Sequence, residues 1–240
     1  MKAVILAGGL GTRLYPITKE IPKPLLPIHR KPIINYLVEL FLRQGIKDIA
    51  VLVNEEFEDD FIWWKKRYYP FENSYSFPNI KIFKEEKQLG TFGGLAYLKD
   101  WLSKDEPFFL TNGDELKEVD LGKMIDFHKE KTPVATIALF KSDSPQNYGV
   151  AICKEGMIEE FIEKPVNPPS PYINSGLYLI SPQIFNYHPG PQFLMIEKDI
   201  FPKLAKEHKL AGFQFEGKWR DCGTWERYTD AQNNLSNNTI

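Results

Sequence analysis

Gly8, Gly9 and Gly11 fall within four positions, and Arg13 follows two residues later. Glycines let a backbone approach a ligand closely and turn several N–H groups towards one anion. The guanidinium of Arg13 is planar and permanently charged, and its paired N–H groups match phosphate oxygens. This loop follows an apolar run, Lys2–Ala7, that reads as a buried strand. Leu6, Ala7, Gly8, Gly9, Gly11, Thr12 and Arg13 therefore stand at a strand's carboxyl end, where open α/β sheets take their ligands. The chemistry is phosphate recognition, but of neither of two common kinds. A dinucleotide loop would read G-x-G-x-x-G, and a P-loop would carry Gly-Lys-Ser/Thr.

A second cation, Lys23, lies ten residues on between Pro22 and Pro24. Prolines on both sides restrict the backbone, so Lys23 is expected on a stiff segment as a second phosphate clamp. Gly8-Gly9-Leu10-Gly11-Thr12-Arg13-Leu14, Pro16, Thr18 and Pro22-Lys23-Pro24-Leu25-Leu26-Pro27 together resemble the sugar-1-phosphate nucleotidyltransferases. Further segments agree along nearly the whole chain. Leu89-Gly90-Thr91-Phe92-Gly93-Gly94 is similar to the family's base- and ribose-facing loop, and Asn112-Gly113-Asp114 to its metal-binding G-D. Tyr148-Gly149-Val150, Phe161-Ile162-Glu163-Lys164-Pro165 and Asn174-Ser175-Gly176-Leu177-Tyr178 are similar to its sugar-phosphate segments. Trp219-Arg220-Asp221-Cys222-Gly223-Thr224 resembles its W-x-D-x-G-T.

The resemblance implies a Rossmann-like α/β nucleotide-diphospho-sugar transferase fold and a Mg²⁺-assisted transfer from a nucleoside triphosphate to a sugar 1-phosphate. Its implied nucleotide contacts are Leu6, Ala7, Gly8, Gly9, Gly11, Thr12 and Arg13 of the loop, with Glu85, Gly90, Thr91 and Asn112. The sugar phosphate would meet Gly149, Glu163, Lys164 and Asn174. Asp114 and Asp221 each stand where a strand gives way to a turn. Two carboxylates with triphosphate oxygens suit Mg²⁺. Because the attacking phosphate is already ionised, no general base is required; Arg13, Lys23 and Lys164 act by alignment and charge neutralisation. Lys164, preceding Pro165, is expected in extended backbone.

Glu115 and Phe92 depart from the family pattern, where an uncharged and a small residue are usual. The chain stops soon after its last helix, so no left-handed β-helix is expected, and with it no acetyltransferase activity; a monomer or small homo-oligomer is the expected state. Glu85 occupies the position from which the family commonly reads the base. A carboxylate only accepts hydrogen bonds, and guanine offers two adjacent donors. GTP with mannose or heptose 1-phosphate is the leading expectation. UTP or dTTP with glucose or an amino-sugar 1-phosphate is the alternative, and a non-catalytic nucleotide-sugar binder is the rival of another class. That rival predicts loss of Arg13, Lys23, Asp114, Lys164 or Asp221, and all five are present. A D-x-D glycosyltransferase motif is missing around Asp114.

The elements that must position these groups alternate in the first half: strands at Lys2–Ala7, Asp48–Val53, Ile80–Phe83, Pro107–Leu110 and Pro133–Phe140, helices at Pro32–Gln44, Glu56–Tyr69, Thr91–Leu102 and Leu121–Glu130. Short strands follow at Tyr148–Ile152, Met157–Ile162 and Ile173–Ile180. A helix at Glu197–His208, a strand at Leu210–Phe215 and a helix from Thr224 close the pattern. A single domain is expected, mixed sheet flanked by helices, with a nucleotide lobe over about 1–132, a β-rich sugar lobe over about 133–232, and a polar tail 233–240. Phe61, Trp63, Trp64, Tyr68 and Tyr69, mixed with Lys65, Lys66 and Arg67, read as an amphipathic helix packed on the sheet. The 240 residues carry 30 basic and 32 acidic side chains, so no global field gathers nucleic acid. Two distant cysteines fit a reducing compartment, and neither a signal peptide nor a membrane span is recognised. The expectation is a cytoplasmic enzyme with no membrane or nucleic-acid partner.

Overall fold

The computed structural model describes residues 1–71, 78–102, 106–188 and 190–234. Most of the expected polar tail, residues 235–240, lies outside the described residues. The elements run β1 (Lys2–Leu6), β2 (Pro27–Ile28), β3 (Lys31–Pro32), α1 (Ile33–Arg43), β4 (Asp48–Asn54), α2 (Glu58–Tyr68) and β5 (Asn79–Glu85). Then come α3 (Gly90–Gly93), β6 (Phe108–Asn112), β7 (Glu115–Lys117), α4 (Leu121–Lys131), β8 (Ala135–Lys141), β9 (Gly149–Lys154) and β10 (Met157–Glu163). β11 (Tyr172–Ile180), α5 (Phe201–Lys206), β12 (Leu210–Gln214), β13 (Trp219–Asp221) and α6 (Trp225–Asn234) complete the chain.

Two compact units share these elements. The first comprises Lys2–Gln88, Thr111–Glu118 and Gly217–Ile240; the second comprises Leu89–Leu110 and Val119–Glu216, with Met1. β7 pairs with β13, and both fall with the N-terminal elements in the first unit.

In the first unit β5, β4 and β1 form a parallel array in that order, with Lys2 beside Asp48 and Asp48 beside Asn79. Continuous apolar runs build it: Ala3–Ile5 and Ile49–Val53 are buried throughout. Such runs suit parallel strands covered on both faces. In α1, Ile33, Leu37, Leu40 and Phe41 are buried at near-helical spacing, and Gly45 at φ 76° ends it, its N–H donating to Leu42 O at 2.9 Å. A smaller core of Leu14, Leu26, Ile28, Ile33, Tyr36, Leu116, Cys222 and Ala231 lies in this unit. On α2 the rings divide. Phe61, Trp64 and Tyr69 are buried, and Trp64 Nε1 donates to Asn35 Oδ1 at 2.6 Å, whereas Trp63 is 70% exposed.

The second unit orders its strands β6-β11-β8-β12-β10-β9. β8 runs antiparallel to β11 and parallel to β12, so this array is mixed. Two expected helices are shorter here. Thr91–Leu102 becomes α3 and a 3₁₀ turn, Gly94–Leu98, and at Gly93 a Cβ would lie 2.0 Å from Gln192 O, so that position takes only glycine. Glu197–His208 opens as a π turn, Ile196–Ile200, before α5, since Pro202 has no N–H for the regular ladder. In the first unit, Glu56–Tyr69 likewise opens with a 3₁₀ turn, Glu55–Phe57. Among the described residues no helix is long and apolar enough to cross a membrane.

His128 on α4 is buried, with Nδ1 and Nε2 hydrogen-bonded to Thr136 Oγ1 at 2.7 Å and Ser181 Oγ at 2.8 Å. Burial pulls its pKa down to about 4. The folded value lies below the unfolded one, so the contribution is present above the unfolded pKa and is lost as pH falls towards 4. Urea unfolding should lose about 1.4 kcal/mol per pH unit on this account between about pH 6 and 4.5. His128→Gln should flatten that part of the curve, and an unchanged slope in the variant would contradict the assignment.

Candidate active site

The glycine loop leaves β1 along a fixed path in the first unit. Ala7 N–H donates to Leu52 O at 2.7 Å, and Leu6 O accepts Gly113 N–H at 2.9 Å. Gly11 has φ 61°, which favours glycine, and its carbonyl accepts Thr18 Oγ1 and Leu14 N–H, both at 2.8 Å. Gln88 Nε2 donates to Gly8 O at 3.2 Å. Between these anchors Gly9, Thr12 and Arg13 are exposed, and nothing lies within 4 Å of a Cβ built on Gly9. Open N–H groups beside a guanidinium make an anion cradle.

Glu85 ends β5 opposite Asn54 and is buried at 7% exposure, whereas Glu86 is exposed. A Cβ on Gly8 would lie 2.5 Å from Glu85 Oε2, so the carboxylate rests against the loop backbone. Of the two adjacent glutamates, Glu85 is the one turned to the loop.

Lys23 starts a 3₁₀ turn, Lys23–Leu25, and is buried; its ammonium is ion-paired with Asp114 Oδ2. Burial works against ionising Asp114, yet Lys23, and behind it Lys117, hold its carboxyl below the usual range. Asp114 owes its place to Gly113, where a Cβ would lie 2.7 Å from Leu6 O. Next, β7 pairs antiparallel with β13, which sets Asp221 opposite Glu115 and Trp219 opposite Lys117. Cys222 N–H continues the ladder to Asp114 O at 3.1 Å. Asp114 and Asp221 are thus one step apart on facing strands. Burial first, and then both of these charges, push the Cys222 thiol up.

Asp221 Oδ1 accepts Gly223 N–H at 2.5 Å, and Oδ2 is ion-paired with Arg227 on α6. Arg13 also borders this turn, its Nη2 lying 3.1 Å from a Cβ built on Gly223. Among the described residues, no group of three or more His, Cys, Asp or Glu side chains is set to hold a metal. A pair of carboxylates fits Mg²⁺ nonetheless, since that ion takes one or two carboxylates and completes its shell with substrate phosphate and water.

Glu115 turns away from this role. Its Oε2 accepts Lys117 Nζ at 2.9 Å and Trp219 Nε1 at 3.1 Å, and its Oε1 accepts Asn112 Nδ2 at 3.2 Å. Burial pushes its carboxyl up to about 7; the Lys117 ammonium resists, while Asp114 and Asp221 add to the rise.

The sugar-phosphate candidates all fall in the second unit, as do Gly90 and Thr91. Glu163 Oε1 and Lys164 Nζ are 3.3 Å apart, and Lys164 is exposed. Lys164 is not extended as expected: its φ is 49°, and its N–H donates to Tyr148 O at 3.1 Å, a turn that overrides the proline preference. A Cβ on Gly149 would lie 2.5 Å from the Phe161 ring and 2.9 Å from Glu163 Oε2, so only glycine leaves that carboxylate its position. Asn174 Nδ2 donates to Tyr178 Oη at 2.9 Å, and its Oδ1 accepts Gly176 N–H. Thr91 Oγ1 donates to Glu197 Oε2 at 2.6 Å and accepts Ile196 N–H at 3.0 Å. Phe92 is a core residue, fully buried with its ring 4.9 Å from that of His188.

Sequence reasoning assigned no role to Lys117, Glu197 or Arg227. A charged residue alternating with Glu115 in a short strand was the available signal for Lys117. Nothing marks Arg227 until the helix places it against Asp221.

A Nucleotidyl transferase family model matches residues 2–238. Mannose-1-phosphate guanyltransferase of Schizosaccharomyces pombe is 38% identical over 232 residues, 95% of this chain and 62% of that protein. The Saccharomyces cerevisiae protein of the same name is 37% identical, over 93% of this chain and 61% of its own length. The chain therefore spans less than two thirds of these relatives. A Bacillus anthracis structure described as a glucose-1-phosphate thymidylyltransferase superposes with TM-score 0.87 at 28% identity, covering 100% of this chain and 96% of its own. HddC from Yersinia pseudotuberculosis, complexed with GMP-PN, gives TM-score 0.80 at 26% identity, covering 98% and 99%. These neighbours share the α/β fold.

The buried Glu115–Lys117 pair has a consequence for stability. Lys117 has a fully buried side chain and donates also to Thr111 Oγ1 at 3.0 Å. Lys117→Met should destabilise urea unfolding by about 3–5 kcal/mol by stranding Glu115, and adding Glu115→Leu should restore most of that. A single variant within about 1 kcal/mol of wild type would show that the pair is not structural.

Proposed function

The chain belongs to the nucleotidyl transferase family, and from that premise we propose that it transfers a nucleotidyl group from a nucleoside triphosphate to a sugar 1-phosphate, releasing pyrophosphate. The observation that carries this reading is the set gathered in the first unit: an open glycine loop, Arg13, Lys23, and the adjacent carboxylates Asp114 and Asp221.

A sugar-phosphate oxygen attacks the α-phosphorus, and the bond to the β-phosphate oxygen breaks. The loop N–H groups and Arg13 hold the phosphate chain, and Lys23 moves its charge onto it as the substrate binds. Lys164 orients the attacking phosphate, with Glu163 accepting from sugar hydroxyls and Asn174 beside them. Asp114 and Asp221 would hold Mg²⁺, which supplies charge neutralisation for the triphosphate and the leaving pyrophosphate. Chemistry of this kind rests on positioning and electrostatics rather than on proton transfer. Both described cysteines are free, in keeping with a reducing, cytoplasmic setting.

For the base we favour guanine. Several relatives at 36–38% identity carry the name mannose-1-phosphate guanyltransferase, and Glu85 is a buried acceptor against the loop. Guanine's N1–H and 2-amino group would both donate to it, whereas a carbonyl of uracil or thymine would be repelled. Mannose 1-phosphate is the favoured sugar. The thymidylyltransferase neighbour, with TM-score 0.87, supports dTTP with glucose 1-phosphate as the second reading.

Pyrophosphate release should be measured with five triphosphates against mannose, heptose, glucose and N-acetylglucosamine 1-phosphates. GTP should give the highest kcat/KM, and Glu85→Gln should narrow its lead over UTP by about tenfold or more, the scale of one mismatched polar contact. A tenfold preference for UTP or dTTP in the wild type would remove Glu85 as the guanine reader and leave the reaction class intact. No pyrophosphate with any pair would sink the class.

A further inference from the structure

The motif that ends at Thr224 stops three residues short of Arg227, yet Arg227 contacts the motif's carboxylate. Asp221 has both oxygens engaged: Oδ1 by Gly223 N–H at 2.5 Å, Oδ2 by the Arg227 guanidinium. Arg227 reaches it from the first turns of α6, where its own N–H donates to Thr224 Oγ1 at 3.3 Å. The side chains are 26% and 12% exposed, so solvent screens this pair only in part. A carboxylate retains further lone pairs for a metal. The obstacle is therefore charge: a fixed cation on Oδ2 repels a dication approaching the same group. Guanidinium does not deprotonate in proteins, so pH does not lift this block. A competing anion can.

We infer that Arg227 is an internal counter-ion of Asp221, which keeps divalent cations out of the nucleotide-free protein and releases that carboxylate when a triphosphate draws the guanidinium away. The inference rests on the metal assignment made above for Asp114 and Asp221. Polyphosphate oxygens offer arginine a bidentate site with more negative charge than one carboxylate carries. Lys23 stands in the same relation to Asp114, which is ion-paired with it. Each carboxylate is thus neutralised by a side chain that the nucleotide would recruit. Metal and nucleotide then bind with positive coupling, and the coupling is reciprocal.

The test is a Mn²⁺ titration of the nucleotide-free protein, followed by the electron paramagnetic resonance signal of free Mn²⁺. Wild type should bind weakly. Arg227→Gln should bind at least about tenfold more tightly, the effect of removing one like charge beside the ion. Arg227→Lys keeps the charge and should stay weak. Adding Asp221→Asn to Arg227→Gln should abolish the gain, which locates the ion on that carboxylate. Thermal melts report whether each variant is folded, and Arg227→Ala provides the same readout should the glutamine variant not fold. An affinity in the neutral variants no higher than wild type would overturn the inference. If wild type releases pyrophosphate normally while that happens, the counter-ion role fails and nucleotidyl transfer stands. If Mn²⁺ binding tightens but no sugar 1-phosphate elicits pyrophosphate, the counter-ion role stands and the transfer reading fails.

Discussion

Three carboxylates within a two-strand ladder must each be neutralised, and the first unit is arranged around that requirement. Asp114, Glu115 and Asp221 sit at adjacent positions of the β7–β13 ladder, where unpaired charge would cost several kcal/mol. Their partners come from separate stretches of chain: Lys23 from the turn after Pro22, Lys117 from β7 itself, Arg227 from α6. The pairs and the ladder hold Lys2–Gln88, Thr111–Glu118 and the segment from Gly217 together. Leu116 and Cys222, which alternate with Glu115, Lys117 and Asp221 along their strands, enter the apolar cluster with Leu14, Leu26 and Ile33. Charge pairing and core packing thus fix the same two short strands from opposite sides.

The three pairs are not equivalent, and the difference separates structure from chemistry. The Lys117 side chain is fully buried, and Glu115 meets further donors from Asn112 and Trp219, so no substrate is required to complete the pair. The Arg227 side chain retains 26% exposure, and Asp114 the same fraction, so these groups stay within reach of an incoming anion or cation. The carboxylate that departs from the family pattern, Glu115, braces β13 two residues before Asp221. An extra negative charge beside Asp114 and Asp221 is tolerable there because Lys117 pairs with it.

Long apolar elements were legible in the sequence because their physics is local. Ile49–Val53 can only be a buried strand, and Ile33–Phe41 repeats at helical spacing up to the stop at Gly45. The glycine loop was legible for the same reason, since Gly11 at φ 61° and the close approach at Gly8 leave few other residues. What failed to show was decided at a distance. The strands Glu115–Lys117 and Trp219–Asp221 are three residues each, too short for a period, and exist because they pair across about a hundred positions. Lys164 took a left-handed turn set by Tyr148, against the preference of its proline neighbour. Gly93 is held to glycine by Gln192, which approaches it from far along the chain. Arg227 gained meaning only from the side chain that it meets.

The central claim is that Asp114 and Asp221 act as one unit on one bound ion during nucleotidyl transfer. A double-mutant cycle on pyrophosphate release, using Asp114→Asn, Asp221→Asn and the pair, tests it most directly. Each single change should lower kcat/KM by about 100-fold or more, and the pair should be little worse than the poorer single, because groups that serve one ion are strongly non-additive. Losses that multiply across the cycle, or near-normal rates in both singles at saturating Mg²⁺, would contradict the account.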